Sequence, residues 1–113
     1  MRGTVGLCVL SAALAGVLSA TAGAQGIQWH QSVDEALRAS AQSGKLVMLT
    51  LYTDWCGFCD MLRNQTWPAE AVVRKSAEFE CASVNPEKTE VSDQYDNGEY
   101  PRTLFLRPDG EIC

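Results

Sequence analysis

Hydrophobic positions along the chain fall into short continuous runs separated by stretches of helical spacing. Leu46–Tyr52 is an almost unbroken apolar run, which is typical of a central strand buried on both faces. Shorter runs predict further strands at Ile27–His30, Phe79–Val84 and Thr103–Arg107. These four runs are expected to be strands, with the second at the centre of the sheet.

The segment after the first strand predicts a helix with clear ends. Ser32 and Glu35 form a capping box, in which each side chain satisfies a free backbone donor of the first turn. Apolar residues then follow helical spacing as far as Gly44, a residue that commonly ends helices.

A second helix is expected to begin within Trp55–Cys59, with Met61 and Leu62 on its inward side. Thr66–Pro68 interrupts it, because a proline inside a helix removes a hydrogen bond. A new helix is expected to start there, with Thr66 as its cap.

The last part of the chain predicts a short helix, a strand and a tight turn. Val91–Tyr95 is expected to be the helix, and Arg107–Gly110 the turn, since Pro108 sets φ and Gly110 allows a positive φ. Glu111–Cys113 would begin a hairpin partner. The element order β-α-β-α-β-α-β-β predicts an α/β layer structure.

Met1–Ala24 has the pattern of a cleaved secretory signal peptide. Arg2 supplies a positive start, Leu7–Leu18 is apolar and uncharged, and Ala22–Ala24 fits the small-x-small cleavage rule. The mature domain is therefore expected to cover residues 25–113. A membrane anchor is the alternative, but the apolar segment is shorter than the roughly 20 residues that a spanning helix needs.

Composition narrows the class of protein. Without the leader, 8 basic and 14 acidic side chains remain with no basic run, so nucleic acid is not an expected partner. The remaining length suits one small domain. Only four cysteines remain, at positions 56, 59, 81 and 113, which is few for a scaffold built on disulfides.

The Trp-Cys-Gly-Phe-Cys segment, Trp55–Cys59, carries the clearest chemistry of the chain. It places two thiols three residues apart directly after the buried strand. If Cys56 and Cys59 start a helix, they share a face and their sulfurs can bond. The helix start also favours the thiolate of the first cysteine. A Cys-x-x-Cys beside a β-α-β pattern therefore indicates a reversible redox pair.

Two other roles for the pair remain open from the residues alone. An exported protein often contains static structural disulfides. A zinc site would need further ligands at close spacing, whereas Cys81, Cys113 and His30 are isolated in the sequence. We expect neither a metal nor a cofactor.

With these motifs in place, the chain resembles the thioredoxin superfamily over about residues 27–112. Two motifs carry the resemblance: Trp55–Cys59 after the buried strand, and Tyr100-Pro101 just before the strand Thr103–Arg107. The segment Lys45–Cys59, which contains Leu-Tyr-x-Asp-Trp-Cys, is most similar to the C-terminal domain of DsbD and to other exported thioredoxin-like proteins. The resemblance implies a thioredoxin-like α/β fold, a central mixed sheet flanked by helices.

The resemblance also implies the roles of the cysteine motif. Cys56 would be the more exposed thiol and would attack a substrate disulfide, and Cys59 would resolve the resulting mixed disulfide. Gly57 and Phe58, between the cysteines, would contact substrate and influence the reduction potential of the pair.

Three further residues are expected to contact substrate. Trp55 would be a flanking aromatic side chain that shapes the site. Pro101 is expected to be a cis-proline that faces the cysteine pair, a claim that comes from the resemblance because most X-Pro bonds are trans. Since Pro101 has no N–H, Tyr100 would offer its backbone groups to an extended substrate.

Two features depart from the family pattern. Family members often carry a buried Asp six residues before the first cysteine, where it helps to move the proton of the second. Thr50 stands at that position and Asp54 is too close to the motif, so no proton carrier is assigned. The chain also ends at Cys113, before the final strand and helix of the family, so we expect a truncated domain.

Cys81 and Cys113 are not expected to form a second disulfide, because the family sheet places them on strands that are not neighbours. Cys81 is expected to be a buried small apolar residue, and His30 to be structural.

These observations predict an exported thiol–disulfide oxidoreductase, periplasmic or secreted, and monomeric. Its partners would be protein thiols and disulfides together with an upstream redox partner, and no membrane span would remain after cleavage. A non-catalytic thioredoxin-like binding module with a structural disulfide is the alternative. A disulfide isomerase is a third hypothesis, which the absence of a visible dimerisation region disfavours.

Overall fold

The computed structural model describes residues 26–113, so the predicted signal peptide at Met1–Ala24 lies outside the described residues. Four strands and three α-helices alternate along this part of the chain, and a π-helical turn continues the second helix. In chain order they are β1 (Trp29–His30), α1 (Val33–Ser43), β2 (Leu46–Leu51), α2 (Gly57–Met61), the π-helical turn (Leu62–Thr66), α3 (Glu70–Ser76), β3 (Phe79–Val84) and β4 (Arg102–Leu106).

The strands form one mixed sheet in the order β1-β3-β2-β4. β2 pairs in parallel with β3 and antiparallel with β4, while β1 lies at the edge beside β3. The predicted mixed sheet flanked by helices is therefore confirmed. β2 occupies the interior, and five of its six residues are buried, which accounts for its nearly continuous apolar run.

Side chains of β2 alternate between the two faces of the sheet. Val47, Leu49 and Leu51 are fully buried in a core that includes Ala36 of α1. Met48 and Thr50 point to the opposite face, where Met48 shares a groove with residues of α3 and Thr50 shares a cavity with Cys59 of α2. One face of β2 therefore packs in the core, and the other faces the cavity shared with the cysteine motif.

The predicted ends of α1 are confirmed. Ser32 caps the helix by accepting a hydrogen bond from the backbone N–H of Glu35 at 3.1 Å, and the Glu35 carboxylate accepts one from Gln31 at 3.2 Å. Gly44 ends the helix in the left-handed region, at φ +79°, where its N–H bonds the carbonyl of Ser40.

Two predictions about the second and third helices are wrong. Met61 is half exposed rather than inward-facing. Thr66 is not a cap: α3 begins after Ala69, which makes no side-chain capping bond, because the chain first completes the wide π-helical turn closed by Trp67 N–H to the Leu62 carbonyl. The interruption around Pro68 is confirmed.

Val91–Tyr95 forms turns rather than the predicted short helix. The carbonyl of Ser92 accepts hydrogen bonds from Tyr95 and Asp96, which closes the chain locally. The Tyr95 hydroxyl is buried and donates to the carbonyl of Gly110 at 2.6 Å. This contact with the C-terminal turn holds the segment against the core without a helix.

The predicted turn at Arg107–Gly110 is confirmed. Gly110 adopts φ +90°, and its N–H bonds the carbonyl of Arg107 at 2.8 Å. Ile112 then pairs with Leu106 in an antiparallel bridge, as expected for the start of a hairpin.

The predicted first strand is shorter than expected, since only Trp29 and His30 pair with β3.

His30 ties the edge strand to its neighbours, in agreement with its predicted structural role. Its ring nitrogens lie 2.9 Å from a carboxylate oxygen of Glu80 and 3.4 Å from one of Glu35. The hydrogen bond with His30 lowers the pKa of Glu80 below its usual range. Folding thus favours the ionised form of Glu80.

We predict that Glu80→Gln reduces the acid dependence of stability. Because the pKa of Glu80 is lower in the folded state, its contribution is present above about pH 4.5 and is lost as the pH falls through the folded pKa. Urea unfolding between pH 3 and 7 measures this slope. Glu70→Gln is the matched control, since its ion pair with Arg74 is exposed and worth about 0.5 kcal/mol or less. Equal slopes in parent and Glu80→Gln would contradict the prediction.

Candidate active site

The sheet places the cysteine motif at the carboxyl end of β2. Because β2 and β3 are parallel, the segments that follow them leave from the same edge, and Tyr52 N–H still bonds the carbonyl of Val84 at 3.1 Å. The chain then turns into α2, with Cys56 as its N-cap and Cys59 in its first turn. Strand end and helix start together fix both cysteines at this edge.

Cys56 and Cys59 form a disulfide, with Cα atoms 5.2 Å apart, inside the usual range for such bonds. Both are buried; Cys56 is 5% exposed and Cys59 3% exposed, so the expected difference in exposure is small. The Cys56 sulfur accepts a hydrogen bond from the Cys59 N–H at 3.1 Å. A backbone N–H at the start of α2 therefore points at the Cys56 sulfur.

Exposed aromatic side chains surround the buried disulfide. Trp55 is 67% exposed and Phe58 71% exposed, an unusual placement for large apolar groups. The ring of Trp55 meets that of Tyr100 edge to face, with centroids 6.1 Å apart. A groove next to Phe58 is lined also by Met61 and Pro101. Trp55, Phe58 and Tyr100 together form what we call the aromatic rim. A partner chain that reaches the disulfide must contact this rim.

Two carboxylates hold the aromatic rim in place. The indole N–H of Trp55 donates to Glu87 at 3.0 Å, and the Tyr100 hydroxyl donates to Asp96 at 2.6 Å. The latter bond raises the pKa of Tyr100 to about 12, so its hydroxyl remains a donor at neutral pH. Sequence reasoning missed both carboxylates. Glu87 could have been predicted from its position just after β3, because β3 is parallel to β2 and the two strands end at the same edge of the sheet.

Asp54 bonds to the segment after β3 and has no such contact with the disulfide. Its carboxylate pairs with Lys88 at 2.8 Å and accepts a hydrogen bond from Asn85 at 3.4 Å. Lys88 lowers the pKa of Asp54, which keeps this group ionised. Asp54 therefore links the cysteine loop to the segment after β3, consistent with its exclusion as a proton carrier.

The Tyr100–Pro101 peptide bond is cis, as the resemblance implies. Pro101 lines the same cavity as Cys59 and the same groove as Phe58, so the two sequence motifs meet at one site. Gly57 faces open space at the turn between the cysteines. All seven predicted site residues thus lie in or beside one surface region.

A partly open cavity of about 230 Å³ lies beside Cys59. Cys59 and the buried Thr50 contribute to its wall, together with Ser83 of β3. Arg63 also lines it, and its guanidinium lies 5.6 Å from the ring centre of Tyr52. Sequence reasoning noted Thr50 but did not find its hydroxyl neighbours.

Residues 28–108 match the model of a family described as thioredoxin-like. The chain belongs to the thioredoxin-like family. A DsbD thiol:disulfide interchange protein of Pseudomonas aeruginosa is 29% identical over 92 residues, which is 77% of this chain and 16% of that protein. The DsbD protein of Ralstonia nicotianae is 41% identical over 63 residues, 48% of this chain and 10% of that protein.

Solved structures agree with this fold. The oxidoreductase DsbH superposes with a TM-score of 0.67 at 21% identity, over 77% of this chain and 69% of that one. The thioredoxin-like chain spans only a small part of the DsbD proteins that it matches, so their sequences are similar to it in one region alone.

The other two cysteines of the described residues lie outside the thioredoxin-like site. Cys81 is buried in β3 and Cys113 is exposed, and they are not bonded to each other. The expectation of no second disulfide is confirmed for this pair.

Within residues 26–113, no three His, Cys, Asp or Glu side chains form a group that could hold a metal. None of the helices there has the length and hydrophobicity of a membrane span.

We predict that Cys81 of the folded, oxidised protein resists alkylation, whereas Cys113 reacts. Burial raises the pKa of Cys81 to about 11, so at pH 8 only about one thiol in a thousand is ionised, and 2% exposure blocks access. Iodoacetamide labelling at pH 8 followed by peptide mass spectrometry measures both sites in one sample. In urea both should react. Comparable labelling of the two sites in the native protein would contradict this prediction.

Proposed function

We propose that this thioredoxin-like protein is an exported thiol–disulfide oxidoreductase that exchanges disulfides with protein substrates. The observation that supports this most is the meeting of the Cys56–Cys59 disulfide with cis-Pro101 beneath an exposed aromatic rim. A purely structural disulfide does not require a surrounding of exposed Trp55 and Phe58 side chains.

Cys56 is the proposed nucleophile. Its thiolate attacks one sulfur of a substrate disulfide, forms a mixed disulfide and releases the other substrate sulfur as a thiolate. The Cys59 thiolate then attacks the Cys56 sulfur, which closes the disulfide and releases the second substrate thiol. Two electrons pass to the substrate in total, and the reverse sequence oxidises a dithiol.

The rim and Pro101 are proposed to bind an extended segment of substrate. Pro101 has no N–H, so a passing strand pairs with the backbone groups of Tyr100. Trp55, Gly57 and Phe58 frame the entrance, and the absence of a side chain at Gly57 leaves room for the substrate sulfur to approach Cys56. An upstream redox partner then restores the starting state of the pair.

The proposed compartment is the periplasm or the exterior. Met1–Ala24 has the charge and apolar pattern of a signal peptide, and the matched DsbD proteins are named as thiol:disulfide interchange proteins. The domain is proposed to act as a monomer over residues 25–113.

We predict that Cys59→Ala accumulates mixed disulfides with substrate proteins, because the Cys56 adduct then has no resolving thiol. Non-reducing gels of the purified variant, incubated with oxidised insulin, detect the adduct. All variants carry Cys113→Ser, which removes the exposed extra thiol. The matched control, Cys56→Ala/Cys59→Ala in this background, should form none. The parent should also accelerate insulin reduction by dithiothreitol, and Cys56→Ala should return it to the uncatalysed rate.

Two results would contradict the proposed function. One is the absence of any Cys59→Ala adduct together with no insulin reduction by the parent. The other is a Cys56–Cys59 reduction potential below about −300 mV, which is typical of structural disulfides. Either outcome would favour a non-catalytic binding module.

A further inference from the structure

The resolving step requires a buried thiol to lose its proton. Cys59 is 3% exposed, yet in the reduced protein its thiol must lose a proton before its sulfur can attack. Burial in apolar surroundings opposes that ionisation, because it disfavours the charged form. The proton therefore needs an acceptor or a path to solvent next to the Cys59 sulfur.

A row of hydroxyl groups crosses the sheet beside Cys59. Thr50 of β2 is paired in register with Ser83 of β3 on one side and with Thr103 of β4 on the other. Paired residues of neighbouring strands point to the same face. The Thr50 and Thr103 hydroxyl oxygens lie 3.3 Å apart, and Thr103 is exposed while Thr50 is 3% exposed. The row therefore runs from the interior to the surface.

The partly open cavity beside Cys59 contains the inner part of this row. Thr50, Ser83 and Cys59 all line its volume of about 230 Å³. That is far more than the roughly 10–15 Å³ that one water molecule requires. A water held there also needs two to four polar partners, which Thr50 and Ser83 help to provide. The site is therefore large and polar enough for water against the Cys59 side chain.

The titratable side chains that line the cavity cannot accept the Cys59 proton. Tyr52 and Arg63 are the other titratable side chains that line it, and Arg63 pairs with Asp60 of α2. Neither a phenol nor a guanidinium accepts a proton at neutral pH. In the described part of the chain, no carboxylate, histidine or lysine lines this cavity.

We propose that water held by Thr50 and Ser83 carries the Cys59 proton out of the site, which makes these hydroxyls positioning residues for the resolving step. The Cys59 S–H gives its proton to this water, and its electron pair forms the bond to the Cys56 sulfur. The bond from Cys56 to the substrate sulfur breaks, and the substrate leaves as a thiolate. The step needs no further oxidant or reductant. This inference rests on the proposed function.

The test separates attack from resolution with 5,5′-dithiobis(2-nitrobenzoate), in a Cys113→Ser background that removes the exposed extra thiol. Reduced protein releases one thionitrobenzoate when Cys56 attacks, and a second when Cys59 displaces the one bound to Cys56. Stopped-flow absorbance follows both phases from pH 5 to 9. Thr50→Val keeps the shape of the side chain and removes its hydroxyl.

We predict that Thr50→Val slows the second phase roughly tenfold at pH 7 and moves its pH profile upward by about one unit, with the first phase unchanged. Ser83→Ala should act in the same direction, and it keeps the test available if Thr50→Val folds poorly. Thr50→Ser retains the hydroxyl and should restore the parent profile.

Thr53→Val is the matched control. Thr53 is fully buried three residues from Thr50, and its hydroxyl has no hydrogen-bond partner among the described residues. The second phase of Thr53→Val should stay within about twofold of the parent, as expected for a buried hydroxyl that makes no hydrogen bond. An effect at Thr50 but not at Thr53 separates proton transfer from packing.

Three outcomes would overturn the inference: an unmoved second-phase profile in both Thr50→Val and Ser83→Ala, equal slowing by Thr50→Val and Thr53→Val, or failure of Thr50→Ser to restore the profile. Loss of the first phase in the parent would instead contradict the proposed function, and this inference with it. A normal first phase with an unmoved second phase contradicts the inference alone.

Discussion

The hydrogen-bonded register of β2 between β3 and β4 positions every group of the candidate site. Because β2 and β3 are parallel, the cysteine loop after β2 meets the segment after β3, where Glu87 and Lys88 hold Trp55 and Asp54. Because β4 is antiparallel to β2, it begins at that same edge, so cis-Pro101 reaches the disulfide from the other side. The two sequence motifs are separated along the chain, and this register brings them together.

Local chemistry explains which parts of the fold could be predicted from the sequence. The capping box at Ser32, the left-handed end at Gly44 and the turn at Gly110 depend on residues within a few positions of each other. The apolar run of β2 identified a strand buried on both faces. The local Cys-x-x-Cys spacing identified Cys56 and Cys59. The cis-proline at position 101 came from the family resemblance, since no local pattern determines that it meets the cysteine pair.

Two features were not predicted because they depend on contacts between residues far apart in the sequence. Val91–Tyr95 has spacing suited to a short helix, but Tyr95 is held by Gly110, 15 residues away. Met61 has apolar character, yet it lies on the exposed side of the helix beside the rim. The bond between Trp55 and Glu87 spans 32 residues, and its recognition requires knowledge of which strands are neighbours.

The alternation of side chains along β2 has a consequence for how the domain tolerates change. Val47, Leu49 and Leu51 pack in the core, whereas Thr50 lines the cavity. A single substitution can therefore alter the core or the cavity and leave the other intact. Insertions and deletions behave differently. Adding or removing one residue within the strand would exchange its faces, directing leucines into the cavity and a hydroxyl into the core. The length of β2 is therefore under stricter constraint than any one of its side chains.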